Sequence, residues 1–250
     1  MVNQAQSLAG RTALVTGAAK RLGRAVALAL AHQGTNVVVH YRRSTDAAGQ
    51  TAEHIRTAGV ESWVLQADLA DPVSAGQLMA RAINLAGPID ILINNASIFP
   101  VGQLRDITPE DITQNVGIHA VAPLLLSRAM ADQDQRGDII NLLDSRITDY
   151  DRDHAAYHLS KRMLFTLTRM LALELASQIA VNAVAPGLIL PPQGEDDGYL
   201  RKLAHTNPLN RYGSLKDITD AVLFLLKSEF VTGQVLFIDG GRHMKGSVYG

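Results

Sequence analysis

The chain has 250 residues, 47% hydrophobic and 19% charged, enough to build one globular α/β domain and too apolar for a disordered chain. Its formal charge of −1 gives no electrostatic basis for nucleic acid or an acidic membrane surface as the main partner. Cysteine is absent, which excludes disulfides and thiolate metal sites and fits a reducing, cytoplasmic setting.

Met1–Gly10 has neither the basic start nor the apolar core of a signal peptide, and no apolar run approaches the length of a membrane span. Thr12–Thr16 reads as a buried strand, followed by a helix over Leu22–Gln33 that stops at Gly34. Asn36–His40 is a second strand, and Thr45–Ala58 a helix closed by Gly59. Ser62–Gln66 is a third strand, and Pro72–Ala86 a helix with proline in its first turn. Asp90–Ile93 is a fourth strand, Pro109–Met130 a long helical segment, and Asp138–Leu143 a fifth strand. A helix over His154–Ser177, a strand over Ala180–Ala185, a helix over Lys216–Lys227 and a last strand over Val235–Ile238 complete the series. This alternation predicts an α/β fold: one Rossmann-like, doubly wound parallel sheet of about seven strands, covered by helices on both faces. Residues 1–250 thus form one domain. Pro186–Gly213 is the one long irregular stretch, and within it Leu188–Tyr212 is the expected substrate loop. Its Gly194–Gly198 segment reads either as a closing flap or as a solvated acidic loop.

Gly17-Ala18-Ala19-Lys20-Arg21-Leu22-Gly23 joins the first strand to the first helix. Gly17 permits a sharp turn, and Gly23 permits a phosphate to approach the helix N-terminus. Arg21 stands where a middle glycine is usual, which aims a long cation into the cleft. After the second strand, His40-Tyr41-Arg42-Arg43-Ser44 lacks the carboxylate that would bind a ribose 2′-hydroxyl and offers two arginines and a hydroxyl instead. A carboxylate about 4 Å from a 2′-phosphate would cost on the order of 4 kcal/mol per charge pair, and arginine reverses that sign. NADPH is therefore favoured over NADH.

Tyr157 and Lys161 lie one helical turn apart on the same face, with Asp144 thirteen positions before the tyrosine. A neighbouring ammonium is expected to stabilise phenolate, pull the phenol below about 10 and let it exchange protons near neutrality. His154 and His158 have the i, i+4 spacing of a metal pair, but no third ligand is apparent and no metal is expected.

Together with Asp68-Leu69, Asn94-Asn95-Ala96, Pro186-Gly187 and Ile238-Asp239-Gly240-Gly241, these motifs resemble the short-chain dehydrogenase/reductase family from about Leu8 to His243. The resemblance implies adenine contacts at Asp68 and Leu69. It implies a nicotinamide floor near Asn95, Ala96, Pro186, Gly187 and Leu188, and a bond from Lys161 to the nicotinamide ribose. It also implies a homotetramer.

Two departures from the family pattern carry substrate information. Asp144 stands where most members have a serine that donates to a ketone oxygen. An ionised carboxylate cannot donate and would repel a developing alkoxide by several kcal/mol. It suits a substrate presenting N–H groups or needing a proton on a ring nitrogen. A one-residue bulge placing Ser145 in the serine's role is the competing reading. With Asn95-Ala96-Ser97-Ile98-Phe99, the set resembles the pteridine and dihydropterin reductases. That resemblance implies Phe99 stacking on one face of a pterin, and Arg21 and Ser97 reaching the pterin edge and the cofactor phosphates. Asp144, Tyr157 and Lys161 would be the catalytic set.

The second departure is His119, where the family generally has an asparagine that supports a water relay to the lysine. Either a main-chain carbonyl keeps that relay, or His119 is a satisfied buried histidine. The expected activity is NADPH-dependent reduction of a C=N bond in a pterin or dihydrofolate-like ring. A short-chain ketone reductase, such as one acting on 3-oxoacyl thioesters, is the enzymatic alternative. A non-catalytic NADP-binding sensor or scaffold is the other.

Overall fold

The computed structural model describes residues 7–192 and 194–245, so positions 1–6 of the N-terminal stretch read above lie outside the described residues. Seven strands are found: β1 (Thr12–Val15), β2 (Asn36–Tyr41), β3 (Ser62–Gln66), β4 (Ile91–Asn94), β5 (Gly137–Leu142), β6 (Ile179–Pro186) and β7 (Val235–Ile238). They form one sheet in the order β3-β2-β1-β4-β5-β6-β7, and every pairing is parallel. The order reverses between β1 and β4, the switch point at which open α/β sheets place their ligands.

Burial on both faces explains why the strands read as continuous apolar runs. Ala13, Val15, Val37 and Val39 point to one core, while Leu14, Val38, Leu92 and Ile139 point to the other. Helices α1 (Arg21–Ala31), α2 (Thr45–Thr57) and α8 (Leu215–Leu226) cover the first face. Helices α3 (Pro72–Ala86), α5 (Ala122–Ala131) and α6 (Ala155–Glu174) cover the second. Asp71 caps α3 by accepting from the N–H groups of Val73 and Ser74, just before Pro72.

One expectation gains detail and one needs correction. The long, mostly helical segment over Pro109–Met130 consists of α4 (Pro109–Val116), a π-helical turn over Gly117–Val121, and α5. Pro123 has no N–H to offer the carbonyl four residues back, at His119, and so favours the wider turn there. The stretch read as irregular contains α7 (Asp197–Leu203) and a 3-10 turn over Ala204–Thr206. Asp196 caps α7 by accepting from Gly198 N–H at 2.7 Å, so the acidic segment is a helix start. A last short helix, α9 (Arg242–Lys245), follows β7.

Candidate active site

The turn between β1 and α1 is built from backbone strain and buried polar ties. Gly17 has φ 65°, and its N–H donates to His40 Nδ1 at 3.1 Å. His40 Nε2 donates to the Ala67 carbonyl at 3.2 Å, so both ring nitrogens are spent on backbone. Burial pushes the imidazole down to about 4 and keeps it neutral. His40 thus shapes the turn and has no free ring nitrogen for a cofactor.

Arg21 occupies the left-handed region at φ 53°, which explains why glycine is usual there. Its guanidinium donates to the Pro191 carbonyl at 2.6 Å, tying the turn to the segment after β6. Gly23 answers to the protein's own packing before any phosphate. A Cβ there would strike the Gly17 carbonyl and the Asn95 amide. Asn95 itself donates from Nδ2 to the Thr16 carbonyl at 2.8 Å and so locks the turn to β4.

The turn opens on a cavity of about 670 Å³, within the range of small-molecule sites. Gly17, Lys20, Arg21, Leu22 and Gly23 line one end, and Tyr41, Arg42, Arg43, Ser44, Asp68 and Leu69 the next. Asn95, Ala96, Ser97, Pro186, Gly187, Asp144, Tyr157 and Lys161 line the rest. Leu188 is buried and does not line the cavity, whereas Ile189 and Leu190 do.

The cleft suits a dinucleotide carrying a 2′-phosphate. The N-terminus of α1 has no side-chain cap and no acidic residue in its first turn, leaving its N–H groups for a phosphate. At the β2 end, Arg42 Nε is 3.7 Å from Asp68 Oδ2, a loose and partly exposed ion pair. Arg43 makes no ion pair or hydrogen bond among the described residues, so its fork is available to a phosphate.

At the centre, the Tyr157 hydroxyl donates to Asp144 Oδ2 at 3.0 Å. Asp144 Oδ1 accepts from Arg146 N–H at 2.8 Å, which fixes the carboxylate at the start of the 3-10 turn Ser145–Thr148. The aspartate, not the serine, therefore faces the tyrosine. Ser145 is buried away from the cavity, so no bulge exchanges the two.

Lys161 Nζ donates to the Leu142 carbonyl at 2.7 Å and lies 5.7 Å from the Tyr157 ring centroid. This overturns the expected tuning of the phenol. Burial, then the charge and hydrogen bond of Asp144, push Tyr157 well above its ordinary value. Burial instead pulls Lys161 down to about 8, against the opposing pull of Asp144. Without cofactor the tyrosine is a firmly protonated donor, and the lysine is the group poised near neutrality.

Phe99 lies half-exposed beside this centre, edge-to-face with Tyr157 at 4.7 Å between centroids. One face is already covered by His154, stacked at 3.8 Å. The sequence reading missed this support. Asp151 accepts from His154 Nδ1 at 3.1 Å and from Arg146 Nη1 at 2.9 Å, and it also accepts from the N–H groups of Asp153 and His154 in the turn that precedes α6. An aspartate whose side chain bonds backbone two and three residues on makes an Asx turn, and that local signal at Asp151 would have located the bracket. His154 therefore serves the aromatic wall, apart from His158, which sits against Tyr150.

His119 lies in the π-helical turn, 1% exposed. Its Nδ1 is 2.7 Å from Ser160 Oγ, and its Nε2 is 3.2 Å from Ile98 N and 2.9 Å from Ser97 Oγ. Burial, then the charge of Lys161, keeps the ring neutral. It is a satisfied buried histidine.

A parallel sheet with a dinucleotide cleft at its switch point, and a Tyr–Lys pair facing that cleft, define an oxidoreductase of the Rossmann type. The family model described as Enoyl-(Acyl carrier protein) reductase matches residues 17–243, and the chain belongs to the short-chain dehydrogenase/reductase family. It is 34% identical over 253 residues to versicolorin reductase 1 of Aspergillus parasiticus, covering 94% of this chain and 97% of the relative. It is also 34% identical over 248 residues to 3-oxoacyl-(acyl-carrier-protein) reductase FabG of Staphylococcus epidermidis, covering 94% and 99%. Among solved structures it resembles FolM alternative dihydrofolate reductase 1 from Brucella canis complexed with NADP. That match has a TM-score of 0.88, 33% identity and 96% of each chain covered.

Proposed function

We propose that this enzyme uses NADPH to reduce a C=N bond of a pterin or dihydrofolate-like ring. The carrying observation is the Tyr157–Asp144 hydrogen bond at 3.0 Å, which puts an acceptor where a ketone reductase needs a donor. A developing alkoxide about 4 Å from that carboxylate would be repelled by roughly 4 kcal/mol at an effective dielectric near 20. A ring N–H would instead be held by it. The half-exposed Phe99, braced by His154, suits a flat heteroaromatic, and the likeness to the FolM structure supports the same reading.

Bound NADPH supplies the hydride. Lys20, Arg21, Arg42, Arg43 and Ser44 would hold its phosphates, and Lys161 its nicotinamide ribose. Tyr157, protonated throughout the neutral range, gives a proton to the ring nitrogen next to the carbon that gains hydride. Asp144 orients the substrate N–H groups. A homotetramer belongs to this reading, supported by the exposed stripe of Leu159, Met163, Met170 and Leu173 along α6.

The test is NADPH oxidation against biopterin, dihydrobiopterin, dihydromonapterin, dihydrofolate and an acetoacetyl thioester. Turnover of a pterin or folate that is lost in both Asp144→Ala and Tyr157→Phe supports the proposal. Thioester turnover with inert pterins refutes it. That second outcome is the reading favoured by the 34% identity to the 3-oxoacyl reductase and to versicolorin reductase 1.

A further inference from the structure

His119 is the buried titratable group beside the catalytic turn that the reaction leaves without a task. Its ring joins two elements: the β4 loop carrying Ser97 and Phe99, and the turn of α6 carrying Tyr157 and Ser160. The direction of each bond follows from chemistry. A backbone N–H can only donate, so Nε2, at 3.2 Å from Ile98 N, carries no proton. The neutral ring must then carry its proton on Nδ1 and donate it to Ser160 Oγ, which donates in turn to the Tyr157 carbonyl at 2.7 Å.

An unprotonated Nε2 also decides the Ser97 contact. Its 2.9 Å separation from Ser97 Oγ is a bond only if the hydroxyl donates. The other acceptor within reach, the Ile98 carbonyl at 3.3 Å, would leave two lone pairs facing each other across that shorter gap. Ser97 is exposed and lines the cavity, so what it turns toward a ligand is acceptor lone pairs alone. We infer that His119 is a positioning residue that fixes Ser97 as a hydrogen-bond acceptor, so that the cleft selects a substrate bearing an amine N–H at its ring edge there. This rests on the pterin or folate reading above.

The test compares a dihydropterin with its analogue in which hydrogen replaces the exocyclic amine. The wild type should favour the amine in kcat/KM by about tenfold, the worth of one neutral hydrogen bond. Ser97→Ala should bring that ratio close to one. The two isosteres of His119 should then separate. His119→Gln places an acceptor oxygen where Nε2 was and should keep the ratio, whereas His119→Asn reaches only toward Ser160 and should lose it. A purely structural role predicts equal ratios in all four proteins, or the same loss in both His119 variants, and either result overturns the inference.

A second measurement needs no substrate. Histidine ¹⁵N NMR, with the His119 signal assigned from its loss in His119→Asn, should show a neutral Nδ1–H ring from pH 5 to 8. An Nε2–H tautomer, or titration near the ordinary histidine value, overturns the inference as well. Inert dihydropterins would sink the pterin reading instead, and the tautomer would still decide whether Ser97 is an acceptor.

Discussion

Acid should loosen the cofactor turn, and His40 sets how strongly. The folded protein holds this imidazole near 4 against 6.5 in an ordinary setting, chiefly through burial. Nearby Arg81 pushes the same way, while the Ala67 bond and Asp68 push back. Between those two values the unfolded chain binds a proton that the folded chain refuses, so stability rises with pH across the window and falls as pH drops through it. That separation sets a ceiling of roughly 3 kcal/mol, most of which should be lost between pH 7 and pH 4. Urea unfolding at half-unit pH steps would measure this against His40→Gln. The variant keeps a donor for Ala67 but leaves the Gly17 N–H unpaired, so it should start about 1–2 kcal/mol less stable at pH 7. Its stability should then decline more gently with acid, because the contributions of His119 and the carboxylates are common to both proteins. Parallel curves would refute the assignment of His40 as the acid-sensitive group under the turn.

Asp144→Ser should cut pterin turnover by at least roughly tenfold and raise turnover of an acetoacetyl thioester, since a donor replaces a repelling carboxylate. Both are read as initial rates of NADPH oxidation. Arg43→Glu should raise the KM for NADPH on the order of a hundredfold while sparing NADH, because a carboxylate then faces the 2′-phosphate. Gly23→Ala should cost about 1–3 kcal/mol by overpacking against the Gly17 carbonyl and the Asn95 amide, lowering the melting midpoint on the order of 5 °C. Phe99→Ala should raise the KM for a pterin several-fold, through loss of stacking worth roughly 0.5–1.5 kcal/mol, and leave the KM for NADPH unchanged.

Most of the fold was legible because parallel strands buried on both faces announce themselves as short apolar runs between helices. Ser62–Gln66 and Val235–Ile238 were placed to the residue, and the other strands to within a residue at each end. What escaped was decided by tertiary contact. The π-helical turn needs Pro123 together with a ring at position 119 that reaches partners on two other elements. The Tyr157–Lys161 spacing placed both groups in the cleft but not their electrostatics. Nothing in a four-residue interval says that Leu142 will claim the ammonium or that Asp144 will hold the phenol. His40 and Asn95 were recognisable as motif residues. Their work, on Gly17, Thr16 and Ala67, is among backbone groups that a sequence does not bring together.

The π-helical turn also has a geometric consequence for the whole second face. One extra residue in a helix rotates everything after it by about 100° relative to an unbroken α-helix. The segment before the turn packs on α6, and the segment after it packs on α3. A single straight rod presents one apolar stripe and would serve one of these neighbours. The widened turn acts as a phase shifter, letting one continuous stretch of chain present two differently oriented stripes without a loop. Deleting one residue between Gly117 and Val121 would therefore do more than shorten a helix. It would swing the inward side chains of α5 away from α3 while α4 stayed seated, leaving the two halves of the segment in competing alignments.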